Sequence, residues 1–276
     1  MMAVPTPLSR TPPRSTPGQL QLYWPLVGHL VSADLRGRYA GSVFGLAWSV
    51  LHPLALIAIL TLVFSGVMRA RLPASADPYA YSIFLCAGLL PWIAVQEIVT
   101  RCTTVFVDRS QLIKQVAFPP AALHLSLLGS AAVNLGVMVV VLLVFLGCVG
   151  HRLGWETVLW PILLASQLLF ATGLGLITSV LHVFLRDTAQ LVAVGLQLWF
   201  WLTPIVYPAS IVPERAARLL HFNPLFVFTR AQQELLLTGA WPSGATTLLL
   251  AGLSIGALGA GALLLQAVRH RLPDEL

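Results

Sequence analysis

Six runs of mainly apolar residues, at 43–67, 81–100, 121–149, 157–183, 188–207 and 245–268, leave few folds open to this chain. A bilayer core about 30 Å thick takes about 20 helical residues to cross. Inside it every backbone polar group must be satisfied within the protein, which favours helices. Charge scarcity points the same way: only 9% of the 276 residues are charged, against about 25% in an ordinary soluble domain. The expected fold is an all-α polytopic membrane protein of six transmembrane helices. The expected organisation is a disordered, Pro- and Thr-rich tail at 1–18, then one membrane domain over 19–276. The tail lacks the apolar centre of a signal peptide, so the first span is expected to serve as the insertion signal.

Two flanking regions read differently. In 22–39, Trp24, Val27, Val31 and Leu35 recur at helical spacing while His29, Ser32 and Arg36 fall elsewhere on the wheel. Pro25 fits a first helical turn. This is the pattern of an amphipathic helix lying in the membrane interface; an irregular lead-in is the alternative. Residues 208–238 are half apolar, broken by Pro213 and Pro224, and carry Glu214, Arg215, Arg218, Arg230 and Glu234. A full span there would bury charges at about 2.5–3.5 kcal/mol each. Two short helices that enter the membrane and return avoid that cost, with Thr203-Pro204 ending the fifth span.

Basic residues set orientation. With the N-terminal side inside, ten of the sixteen lie on the inner face and six, Arg69, Arg71, Arg152, Arg215, Arg218 and Arg230, on the outer. Both termini are therefore expected in the cytoplasm. The net charge of +6 fits loops held at anionic headgroups, and no nucleic-acid motif accompanies it. Gly252, Gly256 and Ala260, and also Gly41 and Gly45, form small-residue stripes suited to close helix packing.

Chemistry is sparse. Lys114 is the only lysine and has no phosphate-cradling glycines around it, so this chain offers no nucleotide loop. Cys86, Cys102 and Cys148 have no metal or redox spacing, and the histidines form no paired motif. Glu97 is the one acidic residue well inside an expected span, and Arg101 four residues on is its natural helical partner.

Five local patterns occur in order: Asp34-Leu35-Arg36-Gly37-Arg38-Tyr39; Ser42-Val43-Phe44-Gly45-Leu46-Ala47-Trp48 with His52-Pro53; Gly88-Leu89-Leu90-Pro91-Trp92; Leu112-Ile113-Lys114-Gln115-Val116-Ala117-Phe118-Pro119; and Arg186-Asp187 with Thr203-Pro204-Ile205-Val206-Tyr207-Pro208. Together they resemble the permease subunit of type 2 ABC exporters for lipid-linked polysaccharides, the group that moves O-antigen, capsule and teichoic-acid chains. The resemblance runs from about residue 30 to 239. It implies a transport subunit, not an enzyme, in the bacterial inner membrane. It also implies a second copy of the chain, two copies of a cytoplasmic ATPase, and ATP and Mg bound on that partner with no cofactor in this chain.

Under that resemblance, motion enters through cytoplasmic elements: the 22–39 helix, the loop bearing Arg109, Ser110, Gln111, Leu112 and Lys114, and the turn at Arg186 and Asp187. A solvated loop with topology-setting charge is the plainer reading. Sugar rings stack on aromatic faces, so Tyr39, Trp48, Trp199, Trp201 and Tyr207 are candidates to line the passage; an interfacial aromatic belt is the alternative. Arg36 and Arg38, at the cytoplasmic mouth, suit the phosphate of a lipid-linked substrate, or simply set topology. Competing functions are a type 2 ABC exporter of drugs or small lipids, and an ion-coupled carrier titrating at Glu97.

Overall fold

Proline and glycine punctuate this chain into helices, and the computed structural model, which describes residues 17–38, 40–68, 72, 77–115, 119–151 and 153–275, contains no strand among them. In order the helices are α1 (Pro17–Arg38), α2 (Trp48–Leu60), α3 (Ala80–Asp108), α4 (Ser110–Gln115), α5 (Pro120–Cys148), α6 (Trp160–Phe184), α7 (Thr188–Leu202), α8 (Glu214–Leu220), α9 (Pro224–Thr238), α10 (Gly244–Val268) and α11 (Leu272–Glu275). A π-helical stretch, Thr61–Val67, prolongs α2, and a 3-10 turn, Trp155–Leu159, leads into α6. Pro120 and Pro224 stand at the starts of α5 and α9, where a missing N–H costs nothing. Most of the 1–18 tail, with Arg10 and Arg14, lies outside the described residues, as do Tyr39, Arg69, Arg71, Arg152 and residues 116–118.

Among the described residues five helices are long and apolar enough to cross a bilayer: Trp48–Val67, Ala80–Asp108, Pro120–Cys148, Trp155–Phe184 and Gly244–Val268. They coincide with five of the six apolar runs. The fifth run, 188–207, is helical only as far as Leu202, 15 residues and a rise of about 22 Å, and it breaks at Thr203-Pro204 as the sequence leads one to expect. Pro204 leaves the preceding residue little access to helical geometry, and Thr203 is extended (φ −106°, ψ 129°). The first run also starts later than expected, at Trp48, because Gly41 and Gly45 adopt positive φ (80° and 49°) in turns. Their small size serves those turns, not helix packing.

The helices α3 and α6 form the buried centre, packed on each other, with α5, α7 and α9 against α3 and α10 against α6. Outward-facing side chains on the periphery are strongly apolar: Leu54 on α2, Leu62 on its π-helical extension, and Leu248, Ile255 and Leu263 on α10 are more than half exposed. A surface of that kind belongs in lipid.

The small residues of α10 that pack are not the expected ones. Gly252 and Gly256 have nothing near a would-be side chain, whereas a Cβ at Gly173 would meet the Ala257 backbone at 2.3 Å and one at Gly261 would meet the Gly173 carbonyl at 2.7 Å. The α6–α10 contact therefore runs through Gly173, Ala257 and Gly261. Ala257 and Gly261 each lie one position along from Gly256 and Ala260 of the expected stripe, about 100° around the helix.

Candidate coupling and translocation site

The Asp108 end of α3 carries the densest polar cluster. Since α3 rises about 44 Å over its 29 residues, its last turns reach beyond a core of about 30 Å. There Glu97 and Arg101, one turn apart, meet Asp34 and Arg38 from the last turns of α1. Arg101 donates to both Asp34 oxygens, through Nη1 at 3.1 Å and through Nη2. Arg38 donates from Nε to Asp34 Oδ2 at 3.2 Å and from Nη2 to Glu97 Oε1. Arg101 Nη1 also lies 3.4 Å from Glu97 Oε1, and Asn134 Nδ2 of α5 donates to Glu97 Oε2 at 3.1 Å. Two guanidiniums and two carboxylates thus neutralise one another at the junction of three helices.

The side chains are largely shielded, with exposures of 11% for Asp34, 14% for Glu97, 20% for Arg38 and 30% for Arg101. Burial alone would raise the Asp34 carboxyl, but the hydrogen bonds and charge of Arg101, aided by Arg38, outweigh it and hold the group below its ordinary value. The expected Glu97–Arg101 pair is present within a larger network. Asp34 and Asn134 were missed as partners, since the contacts span 37 to 67 residues of sequence. Glu97 spends both oxygens on this network.

A small cavity of about 120 Å³, lined among others by Asp34, Arg101, Asp108 and Arg109, separates this cluster from the loop below it. Arg109 closes α3 and its carbonyl accepts from Leu112 N at 3.0 Å, starting α4. On α4, Ile113 is buried while Gln111 and Lys114 are exposed and Ser110 and Leu112 half-buried; Arg109, just ahead of it, is exposed. The C-terminal α11 packs on both α4 and α6, with Leu272 buried, a contact for which four residues after an Arg-rich turn gave no sequence signal. Arg186 and Asp187 form an exposed turn between α6 and α7.

At the far end, the α7 break is held from several sides. Asn223 is the hub. Its Oδ1 accepts from Trp199 Nε1 at 2.8 Å and from Leu225 N at 3.1 Å, capping α9, while its Nδ2 donates to Thr203 Oγ1 at 2.9 Å and the Leu202 carbonyl at 3.3 Å. Tyr81 donates to the Val206 carbonyl at 2.8 Å, and Gln233 of α9 to the Pro204 carbonyl at 3.3 Å. Backbone groups freed by the break find partners in the protein. Asn223 was missed, although Asn before Pro at a helix start is a readable cap signal.

The candidate aromatics scatter. Trp199 is half-buried and bound to Asn223; Trp48 and Trp201 are 45% and 57% exposed; Tyr207 donates to the Trp201 carbonyl at 2.8 Å. Trp48 meets Phe44 edge-on at 5.7 Å, and Phe200 bridges Trp201 to Trp92. Arg38 is committed to the ion network, whereas Arg36 is exposed.

Comparison with known proteins adds a family and relatives. Residues 25–237 match the model described as ABC-2 type transporter. An O-antigen export system permease protein RfbA from Klebsiella pneumoniae is 33% identical over 214 residues, covering 76% of this chain and 79% of that protein. One of the same name from Myxococcus xanthus is 29% identical over 260 residues, covering 94% and 98%. The polysialic acid transport protein KpsM of Escherichia coli is 21% identical over 207 residues, covering 75% and 79%.

Proposed function

The chain belongs to the ABC-2 type transporter family, and from that premise we propose that two copies form the pore of an ATP-driven exporter of lipid-linked polysaccharide. The polymer moves from the cytoplasm across the bacterial inner membrane, and both termini of the permease are cytoplasmic. A separate ABC ATPase, two copies per pore, binds ATP and Mg and supplies the motion. The observation that carries the reading is the near end-to-end likeness to a relative named for O-antigen export, 94% of this chain against 98% of that one.

The geometry supports specific roles. The exposed face of α4, with Arg109, Ser110, Gln111, Leu112 and Lys114, receives the ATPase, assisted by the Arg186–Asp187 turn. Movement there passes up α3 to the Asp34–Arg101 cluster and so to α1, which lies in the cytoplasmic interface. Helices α8 and α9 form the re-entrant outer gate, hinged at Thr203-Pro204. Trp48, Trp201 and Tyr207, with Tyr39, offer faces on which sugar rings stack; Trp199 holds the gate closed to α7. Arg36, with Arg38 behind it, receives substrate phosphate.

Deleting this gene from its host is expected to leave polymer inside the cell and none at the surface. Wild-type permease restores export. A permease lacking 109–114 inserts normally but neither restores export nor retains the ATPase in a pull-down; full coupling of that deletion variant would overturn the assignment of α4.

A further inference from the structure

Helices shorter than about 12 residues are marginal on their own, so α4, at six residues, keeps its shape through its neighbours. One neighbour is α3. The joint between them is Arg109, which leaves helical geometry (φ −110°, ψ 23°) and lets α4 set off in a new direction. A joint of that kind is a pivot, and a pivot passes on little sideways load. A second neighbour is α11, which packs on α4 and also on α6.

At four residues α11 is shorter still, and it is fixed by a turn and by one side chain. The turn, residues 269–271, brings the chain back from α10: Arg271 N donates to the Val268 carbonyl at 2.8 Å, and Glu275 N to the Arg271 carbonyl at 3.2 Å. The side chain is Leu272, 1% exposed between the exposed Arg271 and Glu275. It shares the apolar core with Ile113 of α4 and Val183 of α6, both buried. The helix that delivers it, α10, lies on α6 too closely at Gly173 and Ala257 for a side chain to fit between them. Two bodies therefore hold α4: α3 with the Asp34 network, and the α6–α10 pair through α11. The first of that pair, α6, ends just ahead of the Arg186–Asp187 turn.

We infer that Leu272 is a positioning residue for transport: it sets α11 as a strut between α4 and α6, so that a displacement of α4 reaches α6 and α10 as well as α3. This rests on the exporter reading and deepens it, since the strut turns a push on one short helix into movement of several spans. Coupling of this kind runs through elements in contiguous contact. Here α11 touches the helix of one ATPase-facing segment and the helix that leads into the other. If α11 served only to shield apolar surface, its loss would lower stability and leave the yield of transport per nucleotide unchanged.

The test uses the full chain with its ABC ATPase in proteoliposomes and reads polymer translocated per ATP hydrolysed. Leu272→Asp is expected to keep the ATPase bound and hydrolysing while lowering that ratio about tenfold. Leu272→Ala, which decides the matter if the first variant does not insert, is expected to lower it at least about threefold. Leu272→Met refills the site and should stay within about twofold of wild type. A wild-type ratio in an inserted Leu272→Asp or Leu272→Ala overturns the strut. Loss of ATPase binding from both also overturns it, since α11 would then belong to the docking surface. A second measurement needs no transport. Spin labels at Lys114→Cys and Arg186→Cys, with the exposed Cys148 changed to Ser and Cys86 and Cys102 left buried, report the spread of distances between α4 and the end of α6 in permease alone. The spread is expected to be narrow with Leu272 in place and to broaden in Leu272→Ala; an unchanged spread overturns the strut. If the wild-type complex moves no polymer with ATP, the exporter reading fails, and the spread still judges the strut.

Discussion

Arg101 on α3 grips Asp34 on α1 by both carboxylate oxygens, so α1 is fastened to the central span by a two-pronged contact. A bidentate guanidinium pair fixes direction as well as distance. With Arg38, Glu97 and Asn134 completing the network, α1, α3 and α5 are tied at one level. Removing one partner would leave a shielded charge without compensation.

Asp34→Ala is accordingly expected to destabilise the protein by about 1–3 kcal/mol, below the usual cost for a fully buried pair because Arg101 keeps some solvent. Thermal unfolding in detergent measures this. The charge swap Asp34→Arg with Arg101→Asp is expected to recover part of the loss, and no recovery would mean that the two do not act as a pair.

The same pair has a pH signature. The folded-state pKa of Asp34 is lowered, so its contribution is present above the unfolded value near 3.9 and is lost as pH falls through the lower folded value. Stability measured against pH should lose this contribution only below about pH 4. Asp34→Asn should remove that part of the fall; a wild-type loss centred between pH 5 and 7 that the variant abolishes would reverse the sign.

Close helix contact gives the third expectation. Gly173→Ala drives a methyl into the Ala257 backbone, at 2.3 Å, and is expected to cost about 1–3 kcal/mol or to part α6 from α10. Gly252→Ala meets nothing within 4 Å and should fall within about 0.5 kcal/mol of wild type. Equal effects of the two in a melting assay would contradict the assigned packing face.

Which of these features were legible in the sequence follows from their range. Helix-scale greasiness located five spans to within a few residues at most ends, because lipid solvation acts on the run as a whole. Asn223-Pro224 was legible in principle as a cap. The partners of Glu97 were not, since Asp34 and Asn134 come to it only when three helices assemble. Nor could spacing alone separate the Gly252–Ala260 stripe from Ala257 and Gly261, because small residues crowd both faces of α10.

The α7 break is held by Asn223. Asn223→Ala removes the α9 cap and three further bonds and is expected to cost about 2–3 kcal/mol. Trp199→Phe loses one of those bonds and should cost about 1 kcal/mol. Surface polymer per permease molecule should fall in the same order; a larger effect of Trp199→Phe would assign that ring a direct contact with sugar.

The most direct measurement of all is transport by purified permease in proteoliposomes, with and without its ABC ATPase, using fluorescent lipid-linked polysaccharide and no ion gradient. Translocation is expected only when the ATPase and hydrolysable ATP are both present, and to vanish when residues 109–114 are deleted. Translocation by the permease alone under a proton or sodium gradient, or nucleotide hydrolysis by this chain unaided, would contradict it.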